Sequence, residues 1–212
     1  MKVMLVDDHA VVRTGFRLLL QAFADIEVVA EADSGEAACQ MYESVAPDVV
    51  VMDIAMAGMG GIEAIKRLVA KDARARILAL SAHEDTSHPR RALQAGALGY
   101  LSKRSAPEVL IDAIRAIARG QRYLDAQIAQ RMAVQAIHGD TGPIEKLSLR
   151  EFEVFVQLAR GQSVAQISEA LRLSSSTVGT HLYNIKQKLG LVNQAEMTLL
   201  AVRHGLIDVA AK

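Results

Sequence analysis

The chain has 212 residues, of which 51% are hydrophobic and 23% are charged, a normal balance for a globular protein. Its 24 basic and 24 acidic residues cancel, and its single cysteine excludes an internal disulfide and a metal cage of several thiolates. A transmembrane helix needs about 18 consecutive apolar residues, and no apolar run in this chain is nearly that long. We therefore expect a cytoplasmic protein without a membrane partner.

Short apolar runs alternate with helix-like segments between residue 1 and about residue 119. Strands that alternate with helices are typical of βαβ units and a parallel sheet. We therefore predict an α/β domain over residues 1–119, built on a five-stranded, doubly wound parallel sheet. The runs predict strands at 2–6, 27–32, 48–52, 76–81 and 98–102.

Polar side chains follow four of these strands: Asp7 and Asp8, Asp53, Ser81, and Lys103. Because ligands bind at the carboxyl ends of strands in an open parallel sheet, we expect these side chains at one rim. Carboxylate oxygens suit Mg²⁺, and an aspartate can carry a phosphoryl group as an acyl phosphate. Asp53 would be the nucleophile, Asp7 and Asp8 would hold the metal, and Ser81 and Lys103 would contact the phosphate.

Each of these residues taken singly has a simpler explanation. Asp8 could be a helix N-cap, Lys103 a solvated surface residue, and Ser81 a hydrogen bonder at a strand end. Their joint occurrence at successive strand ends favours the phosphoryl site.

Residues 120–146 are predicted to form a linker that is partly helical, since Ile128 and Met132 have helical spacing. The segment 138–143, His-Gly-Asp-Thr-Gly-Pro, breaks that pattern and is expected to be a flexible joint.

Capping boxes mark several helix starts, since a serine and a glutamate or glutamine three residues later bond each other's backbone amides. Ser174 could cap a further helix, and a last helix covers about 194–204. Residues 147–212 thus predict an all-α, four-helix domain with a helix-turn-helix. The predicted boxes are Ser105 with Glu108, Ser148 with Glu151, and Ser163 with Gln166.

The third helix of this domain has an apolar stripe and a polar face. Such a face suits contacts to phosphates and base edges in a DNA groove, although any surface helix has one. Residues 141–212 have 8 basic and 6 acidic residues, a weak sign of a polyanionic partner. The candidate DNA contacts are Ser176, Thr177, Thr180, His181, Tyr183, Asn184, Lys186, Gln187 and Lys188.

Residues 1–119 resemble the receiver domain of a bacterial two-component response regulator, which has a flavodoxin-like fold. The resemblance implies that a histidine kinase phosphorylates Asp53 and that Asp8, Asp53 and the backbone carbonyl of Ala55 hold Mg²⁺. It also implies that Ser81 and Tyr100 move together as a switch. Ala57 departs from the family, which commonly has proline there. The matching stretches are Val6-Asp7-Asp8-His9, Pro47 to Asp53, Leu80-Ser81-Ala82 and Gly99 to Lys103.

Residues 147–207 resemble the LuxR-type helix-turn-helix of the NarL/FixJ subfamily. The resemblance implies that the third helix enters the major groove of double-stranded DNA and that the fourth contributes to a homodimer. Gly179 stands where the family often has lysine. The matching stretches are Leu147 to Glu151, Ile167 to Leu171, Ser176 to Ile185 and Lys188-Leu189-Gly190.

The sequence therefore predicts a transcriptional regulator that dimerises and binds DNA once Asp53 is phosphorylated. A phosphatase with an aspartyl-phosphate intermediate usually has a second acid two residues later, but Ala55 occupies that position, so we expect no enzyme. An alternative is a receiver-controlled protein-interaction module whose tail binds DNA weakly or not at all.

Overall fold

The computed structural model of the protein describes residues 1–82, 87–137, 143–204 and 206–207. The chain forms two compact units, Met1–Gln130 and Arg131–Lys212. The division lies inside the predicted linker, whose predicted joint at 138–143 falls, except for Pro143, outside the described residues.

A parallel sheet forms the centre of the first unit, with strands in the order β2-β1-β3-β4-β5-β6. The five predicted strands are confirmed, and a sixth, two-residue strand pairs with β5 inside the segment predicted as a linker. A strand this short has no alternation to recognise in the sequence. The strands are β1 (Lys2–Val6), β2 (Glu27–Ala32), β3 (Val49–Asp53), β4 (Ile77–Ser81), β5 (Gly99–Ser102) and β6 (Tyr123–Leu124).

Helices follow the strands, as predicted for a doubly wound fold. Consecutive strand residues point to opposite faces of a sheet, and every residue of β3 and of β4 is buried, so both faces of these strands are covered. One face packs on Leu20 of the first helix and Ile114 of the fifth. The helices are α1 (Ala10–Gln21), α2 (Gly35–Val45), α3 (Gly61–Lys71), α4 (Ser87–Gln94), α5 (Pro107–Ala118) and α6 (Ala126–Ile137).

The start of α5 differs from its predicted capping box. Pro107 occupies the first turn, so the N-cap falls on Ala106, and no side chain caps the helix. Proline favours the first helical position because its fixed φ suits a helix and it has no amide to satisfy there. The predicted pair Ser105 and Glu108 is therefore wrong.

Four helices make up most of the second unit, after a turn of 3₁₀ helix at Pro143–Lys146. The boxes of Ser148 with Glu151 and of Ser163 with Gln166 are confirmed, and Ser174 caps the third helix by accepting from the Thr177 amide at 3.0 Å. A core that includes Phe152, Phe155 and Ile185 joins these helices. They are α7 (Leu149–Ala159), α8 (Val164–Leu171), α9 (Ser175–Leu189) and α10 (Gln194–Arg203).

Among the described residues, no helix combines the length and apolar character that crossing a membrane requires.

Candidate functional site

Three of the predicted site residues are in direct contact at the carboxyl ends of the strands. Asp53 ends β3 and is 1% exposed, and Asp7 follows β1 and is 3% exposed. The Lys103 ammonium lies 2.6 Å from Oδ2 of Asp7 and 2.7 Å from Oδ2 of Asp53. One lysine thus bridges two buried carboxylates from different strands.

Asp8 and His9 extend this cluster toward solvent. The Asp8 side chain is 27% exposed, and its Oδ1 lies 2.7 Å from Nδ1 of His9. One ligand atom from each of Asp7, Asp8, His9 and Asp53 falls within 4.8 Å of the others. Sequence reasoning did not include His9 in the site, although it directly follows the two aspartates.

The donor atoms of this cluster fit a divalent cation. Mg²⁺ prefers oxygen ligands and uses one or two carboxylates together with waters, which Asp7, Asp8 and Asp53 can supply. Clustered carboxylates repel one another unless positive charge lies between them. Lys103 supplies such a charge to Asp7 and Asp53, and a bound cation would add to it and extend it to Asp8.

Burial of the site opposes ionisation of Asp53. Burial raises the pKa of Asp53 above the ordinary carboxyl range, and the Lys103 ammonium acts in the opposite direction. Burial also disfavours the charged form of Lys103, but the carboxylates of Asp53 and Asp7 outweigh it and raise the pKa of Lys103. Lys103 is therefore charged at neutral pH, which makes it a fixed positive partner for anionic oxygens.

The two predicted switch residues lie on neighbouring strands. Ser81 ends β4 and Tyr100 lies in β5, and both are fully buried. Ser81 pairs with Ser102 in the sheet, and its carbonyl accepts from the Lys103 amide at 2.7 Å. Register thus brings Ser81 to the same rim as Asp53, while Tyr100 is two residues further back in β5 than Ser102.

The β3–α3 loop, residues 54–60, is bonded to the aspartates. The Ala55 amide donates to Oδ1 of Asp53 at 3.1 Å, and the Ala57 amide donates to Oδ2 of Asp8 at 3.2 Å. At Gly61 a Cβ would lie 2.0 Å from the carbonyl oxygen of Asp53, so only glycine fits where α3 starts. The glycines of this loop thus serve the turn into α3.

Arg13 of α1 forms hydrogen bonds with the backbone of Asp7 and with Glu31, and the sequence did not predict this role. Its Nη1 donates to the carbonyl of Asp7 at 2.6 Å, and its Nε donates to Glu31 of β2 at 3.1 Å. No local pattern in the sequence indicates this contact.

The predicted DNA contacts lie on α9 and differ in accessibility. Tyr183 is 64% exposed. The Thr177 hydroxyl lies 2.8 Å from that of Ser174, so it takes part in the helix cap. Five residues of the set are exposed: Ser176, Thr180, Tyr183, Gln187 and Lys188; four are partly buried: Thr177, His181, Asn184 and Lys186.

Two members of the set face other protein groups. The Lys188 ammonium lies 2.5 Å from Oε2 of Glu151 on α7, so it has a partner within the second unit. Burial lowers the pKa of His181, and its Nδ1 atom is buried without a hydrogen bond to any described residue. Sequence reasoning missed the role of Glu151 as a partner of α9.

Comparison with protein families matches both halves of the chain. Residues 3–115 match the family described as the response regulator receiver domain, and residues 145–201 match the bacterial regulatory proteins of the luxR family.

Two similar curated proteins align over nearly the whole chain. The response regulator UvrY of Escherichia coli (strain K12) is 42% identical, over 97% of this chain and 95% of that protein. The response regulator GacA of Pseudomonas aeruginosa is 39% identical, over 99% of both.

Solved structures are similar too. A two-component response regulator of the LuxR family from Aurantimonas sp. SI85-9A1 is 41% identical with a TM-score of 0.62, covering 64% of this chain and 97% of that one. RcsB from Salmonella enterica serovar Typhimurium, bound to promoter rprA with the phosphomimetic BeF3-, is 25% identical with a TM-score of 0.67. That alignment covers 94% of this chain and 97% of that one.

Proposed function

The chain belongs to the bacterial two-component response regulators of the NarL/FixJ subfamily, and we propose that phosphorylation of Asp53 controls its binding to DNA. The protein is a DNA-binding transcriptional regulator, with a receiver domain followed by a LuxR-type helix-turn-helix. We assign phosphoacceptance to residues 1–119, a linker to 120–146 and DNA binding to 147–212. Because it binds DNA, we expect it to act in the bacterial cytoplasm.

The contact of Asp53 with Lys103 carries the proposal for the receiver. In the proposed step a carboxylate oxygen of Asp53 attacks the phosphorus of a phosphohistidine on a histidine kinase. A P–O bond forms, the P–N bond breaks, and the histidine leaves with the electron pair and takes up a proton. Lys103, 2.7 Å from Asp53, would pair with the arriving phosphate oxygens.

We propose that Asp7, Asp8, Asp53 and the carbonyl of Ala55 hold Mg²⁺. When bound, the cation would neutralise charge on the phosphoryl oxygens during transfer. The chain's own residues have separate tasks: Asp53 supplies the nucleophile, and the Ala55 amide orients its carboxylate through Oδ1.

Signal transmission is assigned to Ser81 and Tyr100. The Ser81 hydroxyl, at the rim beside Asp53, would bond the phosphate, and Tyr100 would respond through the sheet. Phosphorylation would then shift a pre-existing equilibrium toward a homodimer, by as much as it stabilises that state over the other.

The exposed face of α9 is the proposed DNA surface. Ser176, Thr180 and Tyr183 would contact base edges or phosphates, and Lys186 would neutralise a phosphate. A dimer would contact two half-sites in successive major grooves. The match of residues 145–201 to the luxR family favours DNA over a protein partner for this unit.

A gel-shift assay on genomic fragments, with and without acetyl phosphate and Mg²⁺, tests this function. We expect the phosphodonor to tighten binding by the wild type but not by Asp53→Asn. Asp48→Asn is a matched control, since Asp48 lies next to the other end of β3 and bonds the Lys2 amide. Equal tightening in all three proteins would refute control through Asp53.

A further inference from the structure

The β3–α3 loop is held by a second carboxylate that lies outside the proposed site. The Met59 amide donates to Oε1 of Glu36 at 2.9 Å. Glu36 is an exposed residue in the first turn of α2, and Ser34 caps that helix. The amides of Ala57 and Met59 thus bond two carboxylates, one from the segment between β1 and α1 and one from α2.

The backbone of the loop is shaped to receive Glu36. Gly58 has φ of 77°, a conformation that favours glycine, and a Cβ there would lie 2.9 Å from Oε1 of Glu36. Gly35 also packs closely, because its Cβ would lie 3.3 Å from the carbonyl oxygen of Gly60. A Cβ on Gly35 would also lie 3.4 Å from Cβ of Met59, so the first turn of α2 and the loop pack closely against each other.

Buried apolar residues hold the beginning of the loop, whereas hydrogen bonds hold its middle. Ile54 and Met56 are each 3% exposed. Ala55 and Ala57, whose amides bond Asp53 and Asp8, lie on either side of Met56. Only Gly58 separates Ala57 from Met59, the residue that bonds Glu36. Movement of Met59 would therefore be transmitted through Gly58 to Ala57 and its bond to Asp8.

We propose that Glu36 is a positioning residue of the phosphoacceptor site, which holds the β3–α3 loop so that Ala55 and Ala57 stay bonded to Asp53 and Asp8. Glu36 touches neither the phosphoryl group nor the cation in this account. Its contribution is to keep the metal-binding side chains oriented before the cation arrives. The inference rests on the proposed Mg²⁺ site.

Calorimetric titration of the full chain with Mg²⁺ alone, without phosphodonor, tests the role of Glu36. Glu36→Ala removes the acceptor, and we expect it to raise the Kd for Mg²⁺ about three- to tenfold, the effect of losing one hydrogen bond. Glu36→Gln removes the charge but retains a side-chain oxygen, so we expect a Kd within about twofold of the wild type. Glu43→Ala is the control, since Glu43 lies on the same helix and pairs instead with Lys71.

Two further readouts separate positioning from a general loss of structure. Hydrogen exchange at the Met59 amide should accelerate in Glu36→Ala and not in Glu43→Ala. In labelling with acetyl phosphate, Glu36→Ala should need more Mg²⁺ for half-maximal rate yet approach the wild-type rate at saturation.

The possible failures are distinguishable. A wild type that does not bind Mg²⁺ would overturn the metal site itself. A wild type that binds Mg²⁺, together with Glu36→Ala of equal affinity, would overturn the role of Glu36 alone. If Glu36→Gln binds as weakly as Glu36→Ala, charge and not the hydrogen bond is responsible, which also contradicts the proposal.

Discussion

Lys188 of α9 and Glu151 of α7 form an ion pair, with Nζ 2.5 Å from Oε2. The same carboxylate oxygen accepts from the Ser148 amide at 2.7 Å, so one side chain caps α7 and anchors α9. Glu151 is 4% exposed. The proposed DNA-reading helix is therefore fixed to the rest of its unit by a charge pair as well as by its apolar stripe.

Removing the charge of Glu151 should loosen α9. Glutamine keeps the size and can still accept from Ser148, so Glu151→Gln isolates the pair with Lys188. We expect the second unit to lose about 1–2 kcal/mol of unfolding free energy. This is below the about 1.5–3 kcal/mol of a hydrogen bond to a charged group, because the Lys188 side chain is 40% exposed and solvent screens the pair. Hydrogen exchange in α7 and α9 measures this, with Glu169→Gln on the exposed surface of α8 as the control.

The same pair should make the second unit sensitive to acid. Burial alone would raise the pKa of Glu151, but the Lys188 ammonium and the Ser148 amide outweigh it and hold the pKa below the ordinary glutamate value. A lowered folded-state pKa gives stability above the unfolded value, about 4.3, that is lost as pH falls through the folded one. The stability difference between wild type and Glu151→Gln should therefore shrink below about pH 4. A difference that stays constant between neutral and acidic pH would contradict the pairing.

Lys186 and Lys188 should differ in their contributions to DNA binding. If Lys186 contacts a phosphate, Lys186→Ala should lower the slope of log K against log salt by about 0.9 and leave folding unchanged. Lys188→Ala should instead destabilise the second unit, since Lys188 is paired with Glu151. Binding measured at several salt concentrations, beside thermal melts, compares the two. Equal slope changes with equal stability would make Lys188 an ordinary phosphate contact.

Gly179 is an exposed residue of α9. A Cβ there would meet nothing within 4 Å, so no packing requires glycine. Gly179→Ala should stabilise the helix by about 0.5–1 kcal/mol, because glycine loses more backbone entropy than alanine on folding. Gly179→Lys should also strengthen DNA binding at low salt. Destabilisation by alanine in a urea melt would contradict this account of the position.

Lys103 should weaken the binding of Mg²⁺, although both Lys103 and Mg²⁺ would assist phosphoryl transfer to Asp53. Its ammonium contacts Asp7 and Asp53, whose oxygens would also ligate Mg²⁺. Removing this charge with Lys103→Gln should therefore tighten Mg²⁺ binding, because less positive charge opposes the cation, and should slow labelling by acetyl phosphate. Calorimetry and labelling rates give the two readouts. Weaker Mg²⁺ binding would mean that Lys103 orients the carboxylates and does not compete.

The five main strands could be predicted from the sequence because each is marked by a run of neighbouring apolar residues. Apolar runs ending in polar residues located the five main strands, and parallel order then brought Asp7, Asp53 and Lys103 to one rim. Strand β6 lacks such a signal, because two residues do not show a pattern. The α5 capping box failed because Pro107 set the helix start one residue later than the motif indicated.

Long-range partners could not be predicted in the same way. A helical wheel assigns Lys188 to a polar face, but only the packing of α9 on α7 shows that it reaches Glu151. Likewise, Glu36 precedes Met59 by 23 residues and carries no motif. Contacts of this kind depend on the three-dimensional arrangement of elements, which residue spacing does not encode.

The most direct test is peptide mass spectrometry of the full chain after incubation with acetyl phosphate and Mg²⁺. The acyl phosphate should be trapped by reduction with borohydride. We expect one modified residue, Asp53, and no modification of the Asp53→Asn protein, while Asp48→Asn is modified like the wild type. Persistent modification of Asp53→Asn at wild-type stoichiometry, or modification located at Asp7 or Asp8, would contradict the assignment of Asp53 as the phosphoacceptor.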